Sequence, residues 1–177
     1  MQIETPRGPL TLRQFALEDL DRYRALRLEA LGRHPEVYGG DHATEAARSE
    51  EAWRDRAAAM VGSDSQTMFV AEAGGALVGM TGIFRGFAPK LAHGATIYSV
   101  YVRPEWRGAR ITDHLIERCL DWARPLGVTI VYLAVVTSNA SAIRCYARCG
   151  FSAYGVQPAV IHHAGQYHDE LLMMRRI

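Results

Sequence analysis

The sequence predicts an α+β domain built on a mixed sheet, with seven strands and four helices in the order β-α-α-β-β-β-α-β-α-β-β. Three observations predict it. Apolar residues recur with period two in some stretches and with helical spacing in others, so strands and helices interleave. Glycine and proline sit where the period changes. The run V-T-I-V-Y-L-A-V-V, Val128 to Val136, is almost wholly apolar between two helical stretches, as expected of a strand buried on both faces. With 177 residues and no linker, repeat or low-complexity tract, residues 1–177 read as one domain able to bury a core.

Each element has its own local reason. Leu10 to Phe15 (L-T-L-R-Q-F) alternates apolar and polar residues and reads as the first strand. From Leu17 the period lengthens, and Leu20, Tyr23, Leu26, Leu28 and Leu31 share a helical stripe until His34-Pro35, since the residue before proline avoids the helical basin. A second helix is expected over about Glu45 to Met60, rich in Ala, Glu and Arg. Thr67 to Ala73 and Ala76 to Phe84 flank Gly74-Gly75, a hairpin signal. A strand over Ala95 to Val102 is followed by a helix over Ala109 to Arg124, ending before Pro125 and Gly127. After the buried run, Ser138 or Asn139 caps a helix that stops at Gly150. Phe151 to Val156 and Tyr167 to Met174 close the chain around Gly165.

Composition narrows the function. Twenty Lys and Arg against 19 Asp and Glu leave a formal charge of +1, which gives no electrostatic case for nucleic acid or an acidic membrane surface. Lys90 is the sole lysine. The longest apolar run is too short to span a bilayer, and the N-terminus shows no apolar signal region, so a cytoplasmic protein is expected. Cys119, Cys145 and Cys149 lack metal-site spacing; Cys145 and Cys149 lie one helical turn apart and read as structural thiols. His162, His163 and His168 match no zinc pattern, so no metal is expected. Trp53, Trp106 and Trp122 read as packing residues rather than a nucleic-acid stacking platform.

Two segments carry chemistry. V-Y-V-R-P-E-W-R-G-A-R-I-T-D-H-L, Val100 to Leu115, leads from a strand through a short loop into a helix. The first helical amides lack intrahelical acceptors and, with the helix dipole, favour an anion there. Gly108 permits close backbone approach, and Arg107 and Arg110 add charge. The second segment, T-S-N-A-S-A-I-R-C-Y-A-R-C-G-F, Thr137 to Phe151, places Asn139, Ala142, Ile143 and Tyr146 at helical spacing, with Ala142 and Tyr146 on one face.

V-x-P-x-x-R-G-x-x-I followed, past one strand, by N-x-x-A-I-x-x-Y-x-x-x-G-F resembles the GNAT superfamily of acyl-CoA-dependent N-acetyltransferases. The early L-R-L-E-A-L-x-x-H-P-E-V-Y-G and the closing Y-G-V-Q-P-A-V-I-x-x-x-G-Q-Y-H-D-E-L-L-M are similar to a bacterial branch of it. The resemblance implies a twisted, mostly antiparallel sheet of about seven strands flanked by about four helices, with a splayed central strand pair. It implies acetyl-CoA as cofactor. Val100, Tyr101 and Val102 would pair with the pantetheine arm; Arg107, Gly108, Ala109, Arg110, Ile111, Thr112 and Asp113 would cradle the pyrophosphate. Asn139 and Ala142 would flank the arm, and Tyr146 would protonate the departing thiolate. The oxyanion would rest on a backbone N–H near Val100 or Val102. Acetyl would pass by direct attack of an amine within a ternary complex.

The chain departs from the family pattern at two kinds of position. Arg110 and Thr112 stand where the phosphate loop has small residues, and Thr96 and Ala134 stand where many relatives carry a glutamate base. A water chain or a residue outside the motifs is then expected to deprotonate the ammonium, with Glu29, His93, Tyr98 and His168 as candidates. The acceptor, a small-molecule amine or a peptide N-terminus, is expected to meet Glu29, Tyr38, Tyr98, Tyr154 and Tyr167, together with His34 and Gln157. Relatives often form homodimers. A second reading, an acyl-CoA-binding sensor or scaffold without turnover, follows from the same altered loop and missing glutamates.

Overall fold

The computed structural model describes residues 1–177, in the order β1 Gln2–Thr5, β2 Gly8–Gln14, α1 Leu20–Arg33, α2 His42–Ala46, α3 Glu50–Ala58, β3 Gln66–Ala73, β4 Ala76–Arg85, β5 Gly94–Val102, α4 Ile111–Ala123, β6 Ile130–Val136, α5 Ala140–Arg148, β7 Ser152–His163 and β8 Gln166–Arg176. The strands form one sheet in the order β1-β2-β3-β4-β5-β6-β8-β7. Every neighbouring pair is antiparallel except β5 and β6, which run parallel. The expected mixed, mostly antiparallel sheet is present, with one strand and one helix more than the sequence suggested.

Alternation along the central strands sorts side chains into two cores. Phe69 and Ala71 of β3 face α4, where Leu115, Ile116, Cys119 and Leu120 are buried against Ile83, Ile97 and Leu133. Met68 and Val70 of the same strand face the other way, onto Tyr23, Leu26, Ala30, Trp53 and Ala57 of α1 and α3. Both faces of the sheet are therefore covered, and α4 carries its apolar residues at helical spacing because one side meets the sheet. In the β3–β4 turn, Gly74 (φ +56°) and Gly75 (φ +78°) both take the left-handed conformation that a tight hairpin of this twist requires.

Four expectations change. The chain begins with an additional strand, β1, paired with β2 from Gln2↔Thr11 to Thr5↔Gly8. The helix expected over Glu45 to Met60 is two helices, because the Ser49 hydroxyl accepts from the Ala52 amide (3.1 Å) and starts α3 afresh from an extended residue. Strand β7 continues past Val156 to His163, through an irregularity between Gln157 and Ile161 where Ala159 has φ +54° and its amide donates to Asp169 (2.8 Å). Strand β6 is not buried throughout, since Ala134 is exposed in its middle. No helix is long and apolar enough to cross a membrane.

Leu115 is fully buried where α4 meets the sheet. Leu115→Ala should cost about 2–5 kcal/mol in a urea unfolding titration. A loss below about 1 kcal/mol would mean that α4 is not packed as described.

Candidate functional site

The site begins where pairing ends. Strands β5 and β6 pair at Gly94↔Ile130, Ala95↔Val131 and Thr96↔Tyr132, and then separate. Just beyond that point β5 carries a bulge: Tyr98 pairs with Gly82 and Tyr101 with Met80, so Ser99 and Val100 oppose Thr81 alone. Ser99 has φ +53°. The extra residue reverses the alternation, sending Val100 and Val102 to the α4 core and Tyr101 to the α1 core. The Thr81 carbonyl left opposite the bulge lies 3.8 Å from the Cys119 sulfur.

A cleft of about 930 Å³ fills the gap between the strands. One wall is Ile97 to Val102, the other Leu133 to Val136; α4 begins at one end, and Asn139, Ala142, Cys145 and Tyr146 of the α5 region close a side. Two strand carbonyls at this edge already have partners. The Tyr38 hydroxyl donates to the Val100 oxygen (2.8 Å), and Arg107 Nε donates to the Val102 oxygen (3.1 Å) while its Nη2 meets His34 Nε2 (3.2 Å). Arg107 therefore ties the loop to β5 as well as lining the cleft.

The loop geometry explains which glycines the chain dispenses with. Gly108 has φ +89°, with open space where a Cβ would stand. Arg110, the residue before α4, is itself left-handed (φ +55°, ψ +24°), so an arginine occupies a conformation that suits glycine. Thr112 lies inside α4 and needs no such freedom. The amides of Ile111, Thr112 and Asp113 belong to the first turn of α4 and have no intrahelical acceptor, and all three residues line the cleft. Asp113 is held by Arg148 Nη2 (2.8 and 2.9 Å) and approached by the Cys145 sulfur (3.8 Å). Cys145 and Cys149 do meet, and with Asp113 their ligand atoms lie within 4.8 Å of one another; none of the histidines joins such a group.

Asn139 caps α5: its Oδ1 accepts from the Ala142 amide (3.2 Å) and the Ser141 hydroxyl (3.0 Å). Its amide nitrogen has no partner within the chain, and Asn139 lines the cleft. Tyr146 is buried, and burial pushes its hydroxyl well above the usual tyrosine range. Burial likewise raises Tyr38 to about 12.

All the residues expected to contact the cofactor line this cleft except Ala109. Of the acceptor residues, His34, Tyr38 and Tyr98 line it. Glu29, Tyr154, Gln157 and Tyr167 do not. Glu29 is occupied by the Tyr101 hydroxyl (2.9 Å) and Arg103 (2.9 Å), Tyr154 packs on Tyr132, and Tyr167 stacks on His162 on the exposed hairpin. His93 and His168 also lie outside the cleft. Thr96 and Ala134 line it but offer no titratable group. Glu170, which sequence reasoning passed over, does: it pairs with Val136 across β6 and β8, lines the cleft, and has its carboxyl raised by burial. The available signal was an acidic residue in phase with Leu172 and Met174 on an otherwise apolar strand face.

The profile of the acetyltransferase (GNAT) family matches residues 27–151. A curated relative, the L-methionine sulfoximine/L-methionine sulfone acetyltransferase of Pseudomonas paraeruginosa, is 31% identical over 90 residues, covering 51% of this chain and 49% of that protein. The chain thus spans about half the length of such a relative. Among solved structures, an acetyltransferase of the GNAT family from Streptococcus pneumoniae superposes with a TM-score of 0.83 at 20% identity, covering 95% of this chain and 99% of that one. A Salmonella typhimurium structure solved with its cofactor acetyl-CoA superposes with a TM-score of 0.75 at 20% identity, covering 94% and 93%.

The left-handed residue before α4 makes a stability prediction. Arg110→Gly should raise the unfolding free energy by up to about 1 kcal/mol, because the arginine Cβ is strained there. Thr112→Gly, inside the helix, should lower it by up to about 1 kcal/mol. Urea titrations of both variants check the contrast; the opposite signs would contradict the assigned loop geometry.

Proposed function

Because the chain belongs to the acetyltransferase (GNAT) family, we propose that it transfers an acetyl group from acetyl-CoA to a primary amine, on a small molecule or a peptide N-terminus, with residues 1–177 forming one such domain. The observation that carries this reading is the separation of β5 from β6 beside the start of α4 and the buried Tyr146. The residues present fit the cofactor. An extended arm can lie against the two separated strand edges, and a pyrophosphate suits the first-turn amides of α4 with Gly108 and Arg110 beside them. Acetyl-CoA, when bound, supplies the activated acetyl thioester.

The chain's own groups then take distinct roles. The amides of Gly108 to Asp113 receive negative charge, and Asn139 and Ala142 border the arm. Amides of β5 near Val100 and Val102, which line the cleft, would donate to a developing oxyanion. Tyr146 Oη keeps its proton above neutral pH and can hand it to a departing sulfur anion. We assign to Glu170, one of the carboxylates lining the cleft, the role of taking a proton from the acceptor ammonium; burial raises its carboxyl above the usual range, which suits a base. Holding acceptor and thioester together removes the entropic cost of their encounter.

Three measurements test the reading. A thiol-release assay with acetyl-CoA and a panel of amines should show turnover, and Tyr146→Phe should lower kcat by about 10²–10⁴-fold with a smaller change in KM for acetyl-CoA. Tight acetyl-CoA binding without turnover on any amine would favour the sensor reading. In the pH–rate profile, kcat/KM should rise as Glu170 ionises; Glu170→Gln should lower the rate and remove that acidic limb, and an unchanged limb would exclude Glu170 as the base. Arg110→Gly should leave acetyl-CoA affinity equal or weaker, since the lost charge is not recovered by a freer backbone; a clear gain would mark Arg110 as an obstruction.

A further inference from the structure

At the edge of the cleft, three side chains that can ligate a metal meet between α4 and α5. They are Asp113, Cys145 and Cys149, whose ligand atoms lie within 4.8 Å of one another. It is the one place in the chain where three such side chains come together. The Cys145 sulfur stands 3.8 Å from Asp113 Oδ1, across two helices and 32 residues of sequence. No zinc pattern announces the group in the sequence, because its third member comes from another helix. Neither sulfur has a part in the acetyl transfer proposed above.

The backbone under all three residues is fixed. Asp113 lies in the first turn of α4 and Cys145 inside α5. The Cys149 amide donates to the Cys145 carbonyl (3.0 Å), which sets the two cysteines one helical turn apart on one face. The Cys149 carbonyl in turn accepts from Arg175 Nη1 (2.7 Å), so the end of α5 is pinned. Around a tetrahedral zinc, sulfur and oxygen ligands stand about 3.6–3.8 Å apart. The three groups therefore need only small side-chain rotations, and no loop has to be ordered, to reach that spacing. Access is open as well, because Asp113 and Cys145 both line the cleft while Cys149 is buried behind them.

The donor set says which metal. Two sulfurs exclude magnesium and calcium, which take oxygen ligands, and the carboxylate suits a divalent ion better than cuprous copper. We propose that Asp113, Cys145 and Cys149 bind a zinc ion, with water in the fourth position, as a clasp between the first turn of α4 and the last turn of α5. Both thiols release their protons to solvent as the metal–sulfur bonds form. Two thiolates and a carboxylate then carry three negative charges, of which zinc offsets two and Arg148 the third. Arg148 Nη2 now touches both oxygens of Asp113, but its side chain is 48% exposed, and an ion pair so open to water holds weakly against metal–thiolate bonds. When one oxygen ligates zinc, the other remains for Arg148, which then orients the ligand from behind. This site does not depend on the acetyltransferase reading.

The test titrates the reduced, full-length chain with cobalt(II), which takes zinc sites and reports its ligands by colour. One ion per chain should bind, with a thiolate-to-cobalt charge-transfer band and the strong visible bands of a four-coordinate ion, and zinc should displace it. Zinc in excess should also raise the thermal midpoint. Cys145→Ser and Cys149→Ser should each remove most of the charge-transfer band. Asp113→Asn should keep the band but weaken zinc binding by about tenfold or more. Cys119→Ser, whose sulfur lies by the Thr81 carbonyl, should bind as the parent chain does. Should a serine variant fail to fold, the native chain still decides: zinc should slow alkylation of Cys145 by iodoacetamide, and a chelator should restore it. No charge-transfer band, a band that survives both serine substitutions, a band lost in Cys119→Ser, or alkylation indifferent to zinc would overturn the proposal. Cobalt bound only with the weak spectrum of a six-coordinate ion, as on surface histidines, would overturn it too.

Discussion

The structure depends on one interruption: the parallel ladder between β5 and β6 stops after Thr96 and Tyr132. A sheet interior normally pairs every backbone group, because an unpaired buried amide or carbonyl costs about as much as a lost hydrogen bond. Here the sheet stays intact on both outer sides, with β4 pairing β5 and β8 pairing β6. The gap is held open by specific devices. The Ser99 bulge bends β5 away, Tyr38 and Arg107 satisfy the Val100 and Val102 carbonyls, and α4 and α5 pack below without filling the space. What remains is a slot through a sheet whose two faces are otherwise covered.

The two faces of that slot differ in chemistry, which gives it a direction. On the α4 side stand helix-terminal amides, Gly108, Arg110 and the capped start of α5, all suited to a phosphorylated ligand with an extended arm. On the α1 side stand Tyr38, Tyr98 and Glu170. Tyr146 sits at the wall between the segments, buried enough to keep its proton. A donor entering from one face and an acceptor from the other would meet where β5 and β6 part.

Much of this was legible in the sequence because it is written in local patterns. The period changes located most elements, the Gly74-Gly75 pair marked its hairpin, and the loop from Val100 to Leu115 and the Asn139–Tyr146 spacing pointed to the groups that now line one cleft. The missed features depend on contacts distant in sequence or on single side chains. The break at Ser49 turns on one hydroxyl, and β7 runs on past Pro158 because β8 supports it from across the hairpin. Glu29 looked available until Tyr101 and Arg103, more than seventy residues away, were seen to occupy it. Glu170 and the Asp113–Cys145–Cys149 group carry no motif; their meaning lies in burial and in which neighbours the fold brings to them.

The central claim is that the gap between β5 and β6 receives acetyl-CoA. Amide hydrogen exchange of the whole chain, with and without saturating acetyl-CoA, addresses it residue by residue. Protection should increase together in three stretches that are far apart in sequence: Ser99 to Val102, Gly108 to Asp113 and Leu133 to Val136. Protection confined to other surfaces, or none in these strands at saturation, would contradict the account.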